Sequence, residues 1–394
     1  MTSFRRTLLA PVAVFTALVV GGLIWQGLPP SSPAALGCDA ASERAEAPVA
    51  ELLTGSLVNF SGAWADVKLP DNGPGFFYDM ASFGDRAVAV GRLDGAASTA
   101  LIAVSDDGGT WSITSDNGPD FSRSEAVNAV GTADGFVATG AISTDDHGGS
   151  AGAIWWSAAG ETWLRLPPQP VAYINELGWG SLGLLARASA VDGGSVLGSS
   201  ADGRSWRWAA WPTNGGPNDV APIRDGWIAV GSVSEKGDDR VPVVWRSTDG
   251  ADWTCSMLTT TPTEPFGHAV SVYPGRVTTL VRGEVYAHCS GFASCAASGA
   301  LWIGTEKGSW RRLDGDDAPF IRALAVGADG SFVALTDTGV SRSENGTTWR
   351  EISDQVPSDG VPTVIGLTPW GLVGVGELYR GSEIGPFITF LPAE

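Results

Sequence analysis

Short apolar runs recur along the chain and are separated by turns rich in Gly, Asp and Pro. Examples are "RAVAVG" (86–91), "GFVATG" (135–140) and "GWIAVG" (226–231), each of which ends in a glycine. Second runs such as "TALIAVS" (99–105) and "VPVVWRS" (241–247) follow them. Short runs enriched in Val, Ile and aromatic residues and bounded by turn residues are typical of β-strands. Because no long helical periodicity appears after residue 60, the pattern predicts an all-β structure.

A polar turn that ends in tryptophan occurs six times. Successive tryptophans lie 39 to 57 residues apart. A repeat of about 40–50 residues made of strand-like pieces predicts a β-propeller, in which each repeat is one blade. The six copies are "SDDGGTW" (105–111), "SAAGETW" (157–163), "SADGRSW" (200–206), "STDGADW" (247–253), "TEKGSW" (305–310) and "SENGTTW" (343–349).

Each position of this turn has a physical role in the prediction. The Asp or Asn is expected to accept hydrogen bonds from backbone N–H groups, and the Gly to adopt a positive φ. The tryptophan starts the next strand and is expected to bury against the neighbouring blade, where it contributes about 2–3 kcal/mol. We assign a structural role to Asp107, Gly108, Trp111, Gly160, Trp163, Asp202, Gly203, Trp206, Asp249, Gly250, Trp253, Gly308, Trp310, Asn345, Gly346 and Trp349.

The turns resemble the Asp-box (BNR) repeats of sialidase-like β-propellers over most of residues 60–391. They have one residue fewer between Gly and Trp than the usual Asp box, and Ala159, Lys307 and Asn345 replace its Asp. The resemblance implies that the boxes lie on one face and that ligands meet the opposite face. Its loops there would carry these candidate ligand residues: Asp145, Asp146, His147, Asp238, Asp239, Arg240, Asp316 and Asp317.

The two chain ends are expected to share one blade. "SGAWADVKLP" (61–70) is similar to the end of a box followed by one strand, with Gly62 and Trp64 at the box positions. Residues 361–392 supply the earlier strands of a blade and then the chain stops. Pairing the two ends would leave no exposed strand edge. We therefore predict seven blades, and six or eight remain compatible with the pattern.

The N-terminus has a different pattern. Arg5 and Arg6 precede an apolar run from Leu8 to Trp25, whose eighteen residues fit either a membrane-spanning helix or the apolar part of a signal peptide. The positive charges predict that the rest of the chain is exported. Lipidation is a third possibility, because "ALGC" (35–38) resembles a lipobox ending at Cys38. The predicted location is therefore extracytoplasmic, either secreted or membrane-anchored.

These patterns divide the chain into three predicted parts. Residues 1–28 form a signal peptide or anchor with one hydrophobic helix. Residues 29–60 form a linker rich in Pro, Ala and Ser, and residues 61–394 form the propeller.

The four cysteines fit an exported protein with few disulfides. Cys289 and Cys295 flank five residues, and we predict that they bond to each other. Cys255 follows a box on a strand and is expected to be a small buried apolar residue. With only three His in the chain, no metal site or cofactor is predicted.

The formal net charge of −19 bears on the choice of partner. It argues against nucleic acid, which requires a basic surface. It also argues against adhesion of the propeller to anionic lipid, so that only the N-terminal segment is expected to contact a membrane. A monomer is expected.

No catalytic motif stands out. The resemblance would imply an arginine triad, a Tyr–Glu pair and an early Phe-Arg-Ile-Pro-like motif. That motif does not occur, and no spacing links any of the five tyrosines to a Glu. No G-x-S-x-G elbow, phosphate-binding loop or dinucleotide fingerprint occurs either.

Two hypotheses on function remain. The first is a non-catalytic, exported or membrane-tethered propeller that binds a protein or glycan at the cell envelope, with assembly of a membrane complex as a special case. The second is an exported, sialidase-like glycoside hydrolase. Paired carboxylates or clustered arginines at a central pocket would favour the second. Trp211 and Trp370 are possible aromatic contacts for a ligand, although core packing is the better prediction for most of the 17 tryptophans.

Overall fold

Seven four-stranded antiparallel sheets make up the structure. A computed structural model describes residues 38, 60, 63–69, 73–115, 120–144, 149–236, 239–286, 297–305, 309–314, 320–357, 360–380 and 383–393. Within these residues there are 28 strands and no helix. The predicted seven-bladed, all-β propeller is confirmed. The predicted N-terminal hydrophobic helix lies outside the described residues.

The first complete blades follow chain order from the innermost strand to the outermost strand. β1 (Ala65–Asp66) precedes them. Blades 1 to 3 consist of β2 (Gly75–Phe83), β3 (Arg86–Leu93), β4 (Thr99–Ser105), β5 (Ser112–Ile113), β6 (Ser124–Thr132), β7 (Gly135–Ser143), β8 (Ser150–Ser157), β9 (Leu164–Arg165), β10 (Tyr173–Gly180), β11 (Gly183–Ser189), β12 (Ser195–Ser200) and β13 (Arg207–Ala210).

Blades 4 to 6 have the same order. They consist of β14 (Gly216–Ile223), β15 (Gly226–Lys236), β16 (Asp239–Ser247), β17 (Thr254–Met257), β18 (Phe266–Pro274), β19 (Thr278–Tyr286), β20 (Ala297–Thr305), β21 (Trp310–Leu313), β22 (Ala323–Val326), β23 (Phe332–Leu335), β24 (Val340–Ser343) and β25 (Arg350–Ser353).

Blade 7 joins the two ends of the chain, as predicted. Its strands are β26 (Gly360–Thr368), β27 (Gly371–Arg380), β28 (Glu383–Pro392) and, outermost, β1. β1 pairs antiparallel with β28, with Ala65 opposite Phe390. The inner strands β2, β6, β10, β14, β18, β22 and β26 contact one another in sequence and close a ring. No sheet edge is therefore left open at the junction of the ends.

The apolar runs occupy the two middle strands of each blade. In blade 1, Ala87 to Val90 of β3 and Ala100 to Ala103 of β4 are fully buried. Both faces of these strands pack against neighbouring blades, so that the sequence is continuously apolar and does not alternate with polar residues. The largest fully buried side chains include Trp155, Trp245 and Trp302, which lie on the third strands of blades 2, 4 and 5.

A β-bulge interrupts six of the seven inner strands. In β2, for example, the register shifts between Phe77 and Asp79, so that Tyr78 is the extra residue. A bulge redirects the side chains that follow it. In blades 1 to 5 the first residue after the shift is polar: Asp79, Asn128, Glu176, Asp219 and Ser271.

The disulfide of the described residues differs from the predicted one. Cys38 bonds to Cys255 across a sequence separation of 217 residues. Cys255 is therefore not an isolated apolar residue, and the Sγ of Cys38 that lipidation would modify is already bonded. Residues so far apart in sequence show no local spacing that could have revealed the pair. The predicted partners Cys289 and Cys295 lie outside the described residues.

The alternating strand directions define two faces. The box face carries the box turns and the turns between the first and second strands of each blade. The opposite face, called the pocket face below, carries the connections between blades and the turns between second and third strands.

Candidate functional site

The box turns are built from more hydrogen bonds than the sequence suggested. In the first copy, the Ser105 hydroxyl accepts the Gly108 N–H at 2.8 Å, and the Asp107 carboxylate accepts the N–H of Thr110 at 2.6 Å. The Trp111 indole N–H donates to the Gly108 carbonyl at 2.8 Å. Gly108 has φ +74°, and an added Cβ would lie 2.7 Å from the ring of Phe390. The serine hydroxyl and the indole N–H both close the turn, and neither role was predicted from the sequence.

The other copies repeat this arrangement with local differences. The carboxylates of Asp202 and Asp249 and the amide oxygen of Asn345 each accept two backbone N–H groups, whereas Ala159 has no side chain to do so. Hydrogen bonds from the backbone lower the pKa of the Asp107, Asp202 and Asp249 carboxyls. Trp111, Trp163 and Trp310 are buried, but Trp206, Trp253 and Trp349 are only partly buried. Gly308 lies outside the described residues.

Of the eight loop residues predicted as ligand contacts, the structure describes two. Asp145, Asp146, His147, Asp238, Asp316 and Asp317 lie outside the described residues. Asp239 is buried at the start of β16, and Arg240 beside it is exposed on the pocket face. Within the described part of the chain, no three His, Cys, Asp or Glu side chains are grouped so as to hold a metal ion.

The tryptophans suggested as ligand contacts belong to the core. Trp211 is buried and packs edge-on against Trp245, with ring centroids 5.3 Å apart. Trp370 packs beside the buried residues shared by blades 7 and 1. Trp211 is therefore not available to stack on a ligand, whereas Trp370 is partly buried.

A cavity of about 690 Å³ lies on the pocket face, where blades 1, 2 and 3 meet. We call it the Glu125 pocket. Arg92 at the end of β3, Arg123 and Glu125 at the start of β6, and Tyr173 at the start of β10 form its charged and aromatic wall. Serines 98, 124, 143 and 150 also line it. Three blades therefore contribute to one concave site.

Glu125 is the centre of a hydrogen-bond network. Its carboxylate accepts the Tyr78 hydroxyl at 2.9 Å and an Arg92 N–H at 3.2 Å. The Tyr173 hydroxyl interacts with the same carboxylate. Arg92 is itself held by Asp94 at 2.9 Å. These contacts fix the orientation of the carboxylate and of the guanidinium.

Both tyrosines of this network are held in their protonated form. Burial and the neighbouring Glu125 carboxylate raise the pKa of Tyr78 well above the usual range of a phenol. The same two causes raise the pKa of Tyr173. Both side chains therefore act as hydrogen-bond donors at neutral pH and are not activated as nucleophiles.

Arg123, at the rim of the Glu125 pocket, has an unusual backbone conformation. Its φ is +56°, and among the described residues no other residue except glycine has a positive φ. Such a conformation costs on the order of 1 kcal/mol for an L-residue and occurs preferentially at binding sites. Arg123 is therefore a locally strained residue at the rim of the pocket.

A second group of polar side chains lies on and beside the inner strands that surround the central channel of the ring, outside the lining of the Glu125 pocket. We call Asp79, Glu176, Arg187 and Asp219 the channel cluster. The Asp79 carboxylate accepts the free N–H of Ala129 on the next inner strand at 2.9 Å, and Asp219 accepts that of Val272 at 2.8 Å. The cluster therefore connects neighbouring blades at their inner edges.

Enclosure by the inner strands shifts the pKa of all four groups. These four side chains are only partly exposed, and protein surrounds them. Burial raises the pKa of Asp79 to about 7 and that of Asp219 to about 6. Burial and the Asp219 charge raise the pKa of Glu176, and burial lowers that of Arg187.

A smaller cavity of about 470 Å³ lies on the box face between blades 6, 7 and 1. Phe60, Phe83 and Leu367 give it an apolar wall. Its charged residues, Arg342 and Asp329, form an ion pair with each other. It therefore offers few free polar groups, and the Glu125 pocket is the better candidate for specific recognition.

The Glu125 pocket was not predicted from the sequence. Tyr78, Glu125 and Tyr173 are separated by 47 and 48 residues, which is one blade in each case. All three lie near the start of an inner strand. Glu125 and Tyr173 occupy equivalent positions, two residues before the bulge residue of their strands, but Tyr78 is itself the bulge residue of β2. The three residues therefore follow no single repeat position that a sequence pattern could have revealed.

Comparisons with known proteins agree on the fold. No protein-family model matches the sequence. A search of curated proteins gave no match. The seven-bladed propeller of this chain has distant structural similarity to solved structures, which include YCF48 and a sialidase.

Three solved structures show how distant this similarity is. YCF48 from Cyanidioschyzon merolae is 16% identical with a TM-score of 0.50, covering 84% of this chain and 99% of that one. The extracellular domain of a hybrid two-component system from B. thetaiotaomicron is 12% identical with a TM-score of 0.49, covering 82% and 39%. Trypanosoma rangeli sialidase is 8% identical with a TM-score of 0.42, covering 81% and 55%. At these identities the likeness concerns the fold alone.

Proposed function

We propose that the protein is an exported or membrane-tethered propeller that binds a glycan in the Glu125 pocket without cleaving it. The observation that carries this proposal is the network of Tyr78, Tyr173 and Arg92 around the Glu125 carboxylate. It lies at the wall of a cavity of about 690 Å³ on the pocket face. A volume of this size accommodates a small ligand or a few sugar units.

The chemistry of the lining favours a glycan over an apolar peptide. Sugar hydroxyls both donate and accept hydrogen bonds, and the pocket offers both kinds of group through its arginines, serines and Glu125. Tyr173 adds an aromatic ring at the same wall. A protein partner that docks through an apolar surface would find few large apolar side chains here.

Binding without cleavage is supported by the state of the polar groups. Hydrolysis of a glycosidic bond requires an acid and a second carboxylate or other nucleophile at a set separation. Among the described lining residues, Glu125 is the single carboxylate, and it already accepts several hydrogen bonds. Arg92 is neutralised by Asp94 and Glu125 and is not free for the carboxylate of a sialic acid.

Export is supported by the disulfide between Cys38 and Cys255. Disulfides persist in oxidising compartments and are rare in the cytosol. In the described residues no helix is long and apolar enough to span a membrane, and the apolar run from Leu8 to Trp25 lies outside them.

A sialidase-like glycoside hydrolase is the second candidate. It is favoured by the hydrogen bond between Tyr78 and Glu125, because such enzymes are expected to use a Tyr–Glu pair. The raised pKa of Tyr78 argues against it, since a nucleophilic tyrosine needs a base that removes its proton.

Glycan-array binding with the oxidised full chain tests the proposal. Glu125→Gln removes the charge that holds three donors, and we expect affinity to fall about tenfold or more. Glu377→Gln, on the pocket face at blade 7, is the matched control and should bind as the wild type does. Glycan binding that survives Glu125→Gln would exclude this site.

A panel of chromogenic glycosides, sialosides included, separates the two candidates. Turnover above that of heat-denatured protein would establish the hydrolase. Absence of both turnover and glycan binding in folded protein would favour a protein partner.

A further inference from the structure

The disulfide attaches the N-terminal segment to one particular place on the propeller. Cys255 is the second residue of β17, the outermost strand of blade 4, and lies two residues after the box tryptophan Trp253. It pairs with Trp245, which is near the box-face end of β16. Cys38 is therefore fixed at the outer rim of blade 4, close to the box face.

This attachment is part of the core and not a loose surface link. Cys38 and Cys255 are each only 7% exposed. They pack in a cluster formed by blades 3 and 4, which includes Trp211 and Trp245. Burial between two blades restrains the position of Cys38 as strongly as that of the strands around it.

The bond shortens the tether between the apolar N-terminal run and the propeller. Residues 26–37 separate the end of that run, Trp25, from Cys38. Twelve residues span at most about 40 Å when fully extended. Without the disulfide, the first contact with the propeller in the described chain would be Phe60, which bridges to Ala393 in blade 7.

The charge of the protein leaves this tether as the main determinant of orientation. A formal net charge of −19 repels the propeller from anionic lipid. Because charge does not draw the propeller onto anionic lipid, the point of attachment constrains which part of the propeller lies near the membrane.

We propose that the Cys38–Cys255 disulfide holds the box-face rim of blade 4 toward the membrane, so that the Glu125 pocket points away from it. The inference rests on the membrane-tethered form of the proposed function. It assigns a role to a covalent link that neither ligand binding nor the repeat pattern explains. Reduction of this bond would leave the orientation of the propeller relative to the membrane unrestrained, without altering the pocket.

Two exposed positions in blade 3 report the orientation. Leu182 is 51% exposed on the turn between β10 and β11, on the box face. Val191 is 79% exposed on the turn between β11 and β12, on the pocket face. Each is replaced in turn by an azide-bearing amino acid and coupled to a fluorescent donor, which leaves all four cysteines untouched.

The experiment measures energy transfer to acceptor-labelled lipid with the oxidised full chain. The vesicles contain phosphatidylcholine with a minor fraction of phosphatidylglycerol. We expect transfer from position 182 to exceed that from position 191 by about twofold or more, since the short tether limits the separation of the rim from the lipid. Cys255→Ser and, separately, Cys38→Ser should bring the ratio close to one. The double variant Cys289→Ser/Cys295→Ser is the control and should keep the wild-type ratio.

Each outcome decides the inference. Equal transfer in the wild type, or a ratio unchanged by both serine variants shown by thermal melting to be folded, overturns it. If the full chain does not bind the vesicles, the N-terminal segment does not tether it to a membrane, and the inference is overturned. Glycan binding measured on the same samples keeps the two proposals apart, because Glu125→Gln should lose the glycan and keep the ratio, whereas Cys255→Ser should do the reverse.

Discussion

At the scale of single residues, the side chains that matter most are those whose surroundings differ from what their residue type suggests. A polar turn ends in tryptophan because the indole serves two purposes. Its ring fills the gap between blades, and its N–H closes the turn by donating to the box glycine, as Trp111 does to Gly108. The carboxyls of the channel cluster are the opposite case, since charged groups are enclosed where water would normally solvate them.

Replacing Trp111 with Ala is expected to destabilise the protein by about 3–5 kcal/mol, because a buried aromatic side chain is lost and a cavity remains. Chemical denaturation monitored by circular dichroism measures this. Trp206→Ala is the matched control. That ring is partly exposed, and its loss should cost less. Equal effects of the two substitutions would contradict the burial argument.

The raised pKa of Asp79 predicts how the stability of the protein depends on pH. Its pKa is raised to about 7 in the folded protein and is near 3.9 in the unfolded chain. Between these values the folded state binds more protons than the unfolded state, so that this group lowers stability as pH rises from about 4 to 7. Asp79→Asn can still accept the Ala129 N–H. It should therefore remove part of the stability loss between pH 5 and pH 8, on the order of 2 kcal/mol.

The control for this titration is Asp107→Asn. The pKa of Asp107 is lowered in the folded state, so its contribution is lost only as pH falls below the unfolded value. Asp107→Asn should therefore change the free energy of unfolding at acid pH. It should not change how that free energy depends on pH between pH 5 and pH 8. Urea denaturation at a series of pH values measures both, and identical slopes for wild type and Asp79→Asn would refute the assignment.

At the scale of elements, the blade is a repeated unit with a variable turn. The Ser, Gly and Trp of the box recur in blade 2, but Ala159 stands where blades 1, 3, 4 and 6 have Asp or Asn. The N–H groups that Asp202 accepts in blade 3 are those of Arg204 and Ser205, at 2.9 Å and 2.8 Å. The turn in blade 2 folds without this acceptor, which indicates that Ser157 and Trp163 suffice to shape it.

Restoring the acceptor should stabilise blade 2. Ala159→Asp is expected to add about 1 kcal/mol, because backbone N–H groups gain a charged acceptor near Arg86. Asp202→Ala should cost a similar amount in blade 3. Thermal unfolding of both variants tests the pair, and a loss of stability in Ala159→Asp would show that the turn of blade 2 has a different shape.

At the scale of the whole molecule, two links join distant parts of the chain. β1 completes blade 7 by pairing with β28, and the disulfide joins Cys38 to Cys255. Both connect the N-terminal region to blades formed much later in the sequence. The disulfide joins residues that are 217 positions apart in the sequence, so it restricts the unfolded chain strongly.

Loss of this disulfide is expected to reduce stability by about 2–5 kcal/mol. Cys255→Ser and reduction of the wild type with dithiothreitol should lower the melting temperature by similar amounts. The variant Cys289→Ser/Cys295→Ser measures any effect of the other two cysteines. A melting temperature unaffected by Cys255→Ser would show that packing around Trp211 alone holds the N-terminal segment.

The sequence by itself determined the propeller, its seven blades and the closure of the ring by the two chain ends. These features follow from local chemistry, because apolar runs, box glycines and tryptophans specify strands and turns within each repeat. Only the tertiary structure decided that Tyr78, Glu125 and Tyr173 share one pocket, that Asp79 and Asp219 share the channel, and that Cys38 bonds to Cys255. These groups are brought together by ring closure between blades, and a distance across the ring leaves no periodic trace along the chain.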